Sequence, residues 1–393
     1  MKPDEPAIIC LAFTAFRGDY AKSTTQIMGR LAKDRFVLYI DYQYTVKDLI
    51  DSLLGRRSIE WKRILGFSSR TEELLTNVGT IIQVLSLPPV LPINWINNHK
   101  FYKKALKINS WIISGTIKNA IKKYKLEKAT VINAYNPFYG LYSSNLFTNN
   151  RIIYYCYDEI SGSPWAKKHG SQIETSFLSQ VDDVIVSSSA LKLAKEAFHP
   201  KVHLIENGVD FQMFNAEYKK NNYQPKDPPI IGYIGSLDER IDYALLRQLA
   251  IARPKYHFRF IGRVVFPELI HPISNISNIE ILDPIPYNSL PIALGQFTVG
   301  LIPFLKTKFT KNIYPLKINE YLAMGKAVVR TDFADLEGFN EVVWTGKNTE
   351  EFISCVDDAV KPESKEKVKA RIDKASQNSW NQRVKNFKEI LQA

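Results

Sequence analysis

The stretch T-K-N-I-Y-P-L-K-I-N-E-Y-L-A-M-G-K-A-V-V-R-T, Thr310 to Thr331, reads as a short helix running into a strand. Pro315 suits the first helical position, where its missing N–H would have no partner anyway, and Gly325 suits the residue just past the helix end. Ile318 and Leu322 form an apolar face, while Lys317, Glu320 and Met324 share another at i, i+3, i+7. Lys317 lies in the first turn, where the macrodipole disfavours a cation. A bound diphosphate offsets that conflict, because helix N-termini and lysines both receive phosphates, and the first N–H groups, on Leu316 and Lys317, are available to it. Glu320, one turn on, can accept two ribose hydroxyl protons. The structural alternative is an exposed ion pair at helical spacing.

Outward from this stretch, strand-length apolar runs alternate with helical patterns almost from end to end, the signature of parallel α/β units. Ala7–Phe13, Phe36–Ile40, Ala129–Asn133, Arg151–Tyr157 and Asp183–Ser187 read as the strands of a first sheet, with a helix over Thr24–Lys33 capped by Ser23 or Thr24. A second series follows: strands at Ile230–Ile234, His257–Ile261, Ile279–Leu282, Val299–Ile302 and Ala327–Arg330, and helices at Tyr243–Ala252, near Leu290–Leu294 and at Leu316–Met324. The sequence therefore predicts two doubly wound, Rossmann-like domains facing a cleft. Domain boundaries fall at 1–205, a linker over 206–228 rich in Asn, Lys and Pro, 229–378, and a terminal helix over 379–393 that returns to the first domain. No repeat of 20–50 residues recurs, which excludes solenoids and propellers.

Composition agrees. The 393 residues are 45% hydrophobic and 23% charged, near globular averages, so a disordered or low-complexity chain is excluded. Cys10, Cys156 and Cys355 are too far apart for a disulfide framework and fit a reducing cytosol. The opening M-K-P-D-E-P lacks the layout of a secretory signal, and the uncharged run Leu74–His99 is interrupted by prolines and asparagines, which argues against a spanning helix. The net charge of +12 is concentrated: Leu53–Lys128 holds fourteen Lys/Arg against four acids. With Trp61, Phe67, Trp95, Phe101, Tyr102 and Trp111 interleaved, the segment reads as a surface for an anionic membrane face; the alternative is a solvated surface over core aromatics.

The motifs, in order, resemble the glycosyltransferases of GT-B fold, in particular the bacterial group allied to family 4 and to the teichuronic acid biosynthesis enzymes. The resemblance rests on N-G-V-D from Asn207, G-S-L-D-E-R-I-D from Gly235, the Asp158–Glu159 pair after Y-Y-C, and I-Y-P-L-K-I-N-E-Y-L-A-M-G-K-A-V-V from Ile313. It implies transfer, of hexosyl type, from a nucleotide diphosphate sugar to a cell-surface polysaccharide or lipid-linked acceptor. In such enzymes the donor ribose meets the glutamate corresponding to Glu320, and the diphosphate meets the helix start at Pro315, Leu316 and Lys317. The loop around Ile285 and residues Gly235, Arg240 and Arg263 complete the implied donor side. Two departures stand out: Asn312 occupies the place of a second glutamate that contacts the donor sugar, and Ser236 replaces a phosphate-neutralising arginine, a role open to Arg240 or Lys317.

On the acceptor side, Asp158 and Glu159 end a strand, and neighbouring side chains there point in opposite directions, so only one faces the reaction. Asp158 directly follows the strand and is the candidate catalytic base or positioning carboxylate, with helix capping as its alternative. Arg17 and Lys22, in the loop Thr14–Thr25, are candidates for an anionic acceptor. The six histidines show no zinc spacing and no D-x-D is present, so neither an obligatory metal nor another cofactor is expected, and no nucleic-acid partner. A sugar-nucleotide epimerase of the same fold and a non-catalytic nucleotide-binding scaffold are the alternatives. A cytoplasmic protein, peripheral at the inner face of the cell membrane, is the expected setting.

Overall fold

The computed structural model describes residues 5–18, 22–162, 166–221 and 226–392. The chain divides into two compact units, Met1–Ile205 with Val384–Ala393, and Glu206–Arg383.

The first unit is built on an eight-stranded sheet. Its strands are β1 (Ile8–Ala12), β2 (Val37–Ile40), β3 (Thr71–Leu75), β4 (Ile81–Leu85), β5 (Thr130–Ala134), β6 (Ile152–Cys156), β7 (Asp183–Val186) and β8 (Val202–Leu204), in the order β3-β4-β2-β1-β5-β6-β7-β8. All pairs are parallel except β3 with β4. The central strands β1, β5 and β6 are buried at every position, as expected where helices cover both faces. The sequence expectation ended this sheet at 183–187; β8 and the β3–β4 hairpin extend it. The hairpin escaped detection because T-E-E-L-L is a half-exposed edge with no clean alternation. Its turn needs Gly79 at φ +76.

The expected caps Ser23 and Thr24 are both corrected: the first helix spans Ser23–Leu31, with Lys22 in the extended cap position. Lys22 Nζ donates to the carbonyls of Ala15 and, at 2.8 Å, Arg17, which fixes the turn one residue earlier.

The second unit carries β9 (Ile230–Ile234), β10 (His257–Ile261), β11 (Ile279–Leu282), β12 (Val299–Ile302), β13 (Ala327–Thr331) and β14 (Trp344–Gly346), all parallel, in the order β11-β10-β9-β12-β13-β14. Of the segment 206–228 read as a linker, Phe211–Asn221 is a helix of this unit, with Phe214 buried in its core; residues 222–225 lie outside the described ones. Asn-rich composition concealed that helix, because its buried face is short.

The terminal helix spans Trp380–Gln392, and the Ser379 hydroxyl accepts from the Gln382 N–H at 3.4 Å. From Val384 onward it belongs to the first unit, where Phe387 meets Tyr155 edge-on at 5.5 Å and Lys388 pairs with Asp34.

Candidate functional site

In each sheet the strand order reverses once, between β1 and β5 and between β9 and β12. Such switch points leave a crevice at the carboxyl ends of the strands, where doubly wound folds take ligands.

In the second unit the chain leaves β9 at Gly235 and leaves β12 toward the helix Leu316–Ala323. Pro315 is the cap itself, at φ −74 and ψ 121, rather than the first helical residue; the helix begins at Leu316, the start of the expected range, and ends at Ala323, one residue before its expected end. A proline cap offers no side-chain acceptor to the first-turn N–H groups, which suits them to an external anion. The far end closes as expected: Gly325, at φ +66, donates to Leu322 O at 2.9 Å and Lys326 donates to Tyr321 O at 3.0 Å.

Lys317 folds back over the β9 turn. Its ammonium lies 5.6 Å from the centroid of the Tyr233 ring, and its Cε occupies the space in which a Gly235 side chain would sit. Gly235 has φ +147, and a Cβ on Gly262 would overlap the Gly235 carbonyl. Two adjoining strand ends are thus stripped to backbone. Burial first, and the like charge of Arg240 second, push Lys317 down to about 8; Glu320 and Asp238 oppose the shift. Burial raises the Glu320 carboxyl, and Lys317 opposes that. Gly235, Arg240, Lys317 and Glu320 therefore form one neighbourhood. Arg240 is held by Asp238 in a two-point pair, Nε–Oδ1 2.8 Å and Nη2–Oδ2 2.5 Å, and lies over Phe304 at 5.5 Å.

The remaining donor candidates reach this edge of the sheet by separate loops. Arg263 is exposed after β10, Ile285 packs on the core after β11, and Asn312 donates to Lys308 O at 2.8 Å in the loop before the helix. A Gly235→Ala variant should displace Lys317 and force an unfavourable φ. We expect a loss of about 1–3 kcal/mol in stability, read by denaturant titration, and at least tenfold weaker nucleotide binding.

The N-G-V-D motif, Asn207–Asp210, falls in the segment expected to be a linker, yet it is tied into the second unit. Asn207 donates to Tyr314 O at 3.0 Å, directly ahead of Pro315; Tyr314 OH accepts from Asn319 at 2.9 Å, and Asn319 Oδ1 accepts from Asn378 at 3.0 Å. Gly208 is needed because a side chain there would strike Trp380. The motif anchors the entry to the Lys317 helix through buried amides, a function that spacing alone does not reveal.

In the first unit, Asp158 follows β6, and its Oδ1 accepts from the Glu159 N–H at 2.9 Å. Glu159 is committed elsewhere: it accepts from Ser161 N at 3.0 Å and pairs with Lys195 at 3.3 Å, and Lys195 pairs with buried Glu174 at 2.7 Å. Burial would raise the Glu159 carboxyl, but Lys195 and the Ser161 contacts hold it below its ordinary value. A carboxyl so lowered contributes stability above its unfolded value that is lost as pH falls through the folded one. Glu159→Gln should accordingly cost about 1–2 kcal/mol near neutral pH, an effect that fades in acid, and leave turnover within a few-fold; chemical denaturation at two pH values and an activity assay check this.

Arg17 is likewise occupied, pairing with Glu72 at 2.8 Å and Glu60 at 3.6 Å, and Lys22 ties its own loop. Residues 19–21 of that loop lie outside the described ones. Beside it, a cavity of about 260 Å³ opens between the Ser23–Leu31 helix and the β3–β4 hairpin, with Arg17, Gln26, Arg30 and Thr76 among its lining residues. No sequence signal marks Tyr135, which holds φ +58 at the end of β5, a costly conformation for an aromatic residue, with its ring 4.7 Å from Tyr157. Among the described residues, no group of three or more His, Cys, Asp or Glu is arranged to hold a metal ion.

Residues 228–372 match the family model of the glycosyl transferases group 1. The putative teichuronic acid biosynthesis glycosyltransferase TuaH of Bacillus subtilis (strain 168) is 26% identical over 211 residues, 48% of this chain and 52% of that protein. The match thus spans about half the length of the curated relative. Among solved structures, the OtsA apo structure superposes with a TM-score of 0.69 at 12% identity, covering 98% of this chain and 99% of that one. The UDP-forming alpha,alpha-trehalose-phosphate synthase of Burkholderia xenovorans in complex with glucose-6-phosphate gives 0.68 at 10% identity, covering 99% and 100%. The trehalose-6-phosphate structure from E. coli bound with UDP-2-fluoro glucose gives 0.68 at 11%, covering 98% and 99%. At such identities these likenesses establish the fold alone, that of GT-B proteins built from two Rossmann-like units.

Proposed function

We propose, for a chain of GT-B fold whose residues 228–372 form a group 1 glycosyltransferase domain, the transfer of a sugar from a nucleoside diphosphate donor to a cell-surface polysaccharide or lipid-linked acceptor at a membrane face. The observation that carries this reading is the Lys317 neighbourhood. A desolvated ammonium, first-turn N–H groups without a side-chain cap and two glycine strand ends meet where a diphosphate can approach backbone closely.

In the reaction, the acceptor oxygen bonds to the anomeric carbon as the bond from that carbon to the diphosphate oxygen breaks. The electron pair leaves on the diphosphate, where Lys317 and the helix start stabilise the growing charge. Glu320 accepts the ribose hydroxyl protons. Asp158 takes the acceptor proton or orients the acceptor hydroxyl. The scheme uses no resident metal.

The proposal is tested by thermal shift with a panel of nucleoside diphosphate sugars, since a ligand that binds only the native state raises its midpoint. One or more should give a saturable shift, and the same donor should be hydrolysed slowly without acceptor. No shift with any member, or shifts with bare nucleic acid instead, would reject the reading.

A further inference from the structure

The 26-residue helix His99–Tyr124 of the first unit presents two unlike faces. Its inner face, with Tyr102, Leu106, Ile113 and Ile117, is buried in the core. Its outer face is not the polar one that a surface helix ordinarily shows. Phe101, Lys104, Ile108 and Trp111, at spacings of three and four, form a single exposed stripe, with Phe101 64%, Ile108 50% and Trp111 78% exposed. Exposed Lys100, Lys107 and Lys118 flank it, and Trp95, 74% exposed, stands in the loop just ahead. The helix carries seven lysines and no acidic residue.

We infer that this outward stripe docks the first unit on an anionic lipid surface, with the helix lying in the headgroup plane. Charge complementarity selects the occupant. Seven lysines without an acid favour a dense anionic surface over an apolar protein groove or a second copy of the same cationic face, whose lysines would repel. The aromatic and aliphatic tips between the lysines match the interfacial depth at which Trp and Phe gain from partial burial. No helix among the described residues is long and apolar enough to cross a membrane, and this one, lysine-bearing along its length, lies on the surface rather than spanning. The inference deepens the transferase reading by naming the surface on which a lipid-linked acceptor is met, while its test does not involve the donor site.

Flotation of the full chain with vesicles of phosphatidylglycerol and phosphatidylcholine, against phosphatidylcholine alone, decides it. Recovery is expected with the anionic vesicles only, falling as salt rises. Lys100→Gln/Lys104→Gln/Lys107→Gln should lower partitioning about 100-fold, and Phe101→Ser/Trp111→Ser about tenfold. The charge-keeping Lys100→Arg/Lys104→Arg/Lys107→Arg should bind as the parent does. All these positions are solvent-facing, and an unchanged thermal midpoint checks that the fold is kept. Equal recovery with both vesicles, none with either, or indifference to the substitutions would overturn the inference. So would a dimer in sedimentation, without vesicles, that Trp111→Ser dissolves. The donor-induced thermal shift, measured on the same variants, should persist; its absence in the parent chain would count against the transferase reading and leave the docking result standing.

Discussion

A Lys317→Met variant is expected to bind a nucleoside diphosphate about 100-fold or more weakly while melting at a higher temperature than the parent. Loss of binding follows from removing a charge-assisted partner of the phosphates in a partly desolvated place. The gain in stability follows from linkage. The folded state lowers Lys317 from its ordinary value to about 8, so between pH 8 and the unfolded lysine value the unfolded chain holds more protons. The cost of keeping this ammonium charged is fully present below pH 8 and is relieved as pH rises above it. Methionine removes that cost, for a gain on the order of 1–2 kcal/mol near neutral pH after discounting for partial exposure.

The same group makes donor affinity flat below about pH 8 and declining above it, because only the protonated form attracts the diphosphate. Glu320→Gln should weaken binding and, because its carboxylate supports the Lys317 ammonium, move the decline to lower pH. Calorimetric titration between pH 6.5 and 9.5, beside denaturant unfolding, reads both quantities. Unaltered affinity in both variants would place the donor elsewhere. A Lys317→Met protein less stable than its parent would show that packing of the lysine stem outweighs the cost of desolvating its ammonium.

The second large effect is expected at Asp158. Asp158→Asn should reduce transfer by about 10²-fold or more, the scale of a lost acid–base group, with donor affinity nearly intact. Its neighbour supplies the control. Glu159 is held by Lys195 and Ser161, so its amide variant should lose stability rather than turnover. Steady-state rates and donor titrations on both variants separate the two outcomes. Full turnover in Asp158→Asn would reduce this carboxylate to its local contact with the Glu159 N–H; equal losses in both would indicate that the whole turn, rather than one carboxylate, sets the rate.

Much of this architecture was legible in the chain. Continuous apolar runs of strand length and period-3.6 apolar patterns follow from local geometry, so the central strands of both sheets and the helix Leu316–Ala323, bounded by Pro315 and Gly325, could be read directly. Lys317 and Glu320 were legible for the same reason: one helix face fixes their spacing, and the macrodipole makes a first-turn lysine anomalous.

What the chain did not display was decided by distant partners. The β3–β4 edge and three-residue β8 have too few buried positions to impose a pattern, and only pairing with the growing sheet defines them. Pro315 became a cap rather than a first helical residue because buried Asn207, from far earlier in the chain, holds Tyr314 O just before it. Arg17, Lys22, Glu159 and Arg240 looked like free charges in the sequence; Glu72, the Ala15 and Arg17 carbonyls, Lys195 and Asp238 engage them in the fold. Composition and periodicity determine which segments are strands and helices, because those are local energies. Which charge meets which partner, and which is pressed against backbone glycine with a lowered affinity for its own proton, is set by the crossing of strand ends, and only the tertiary structure contains it.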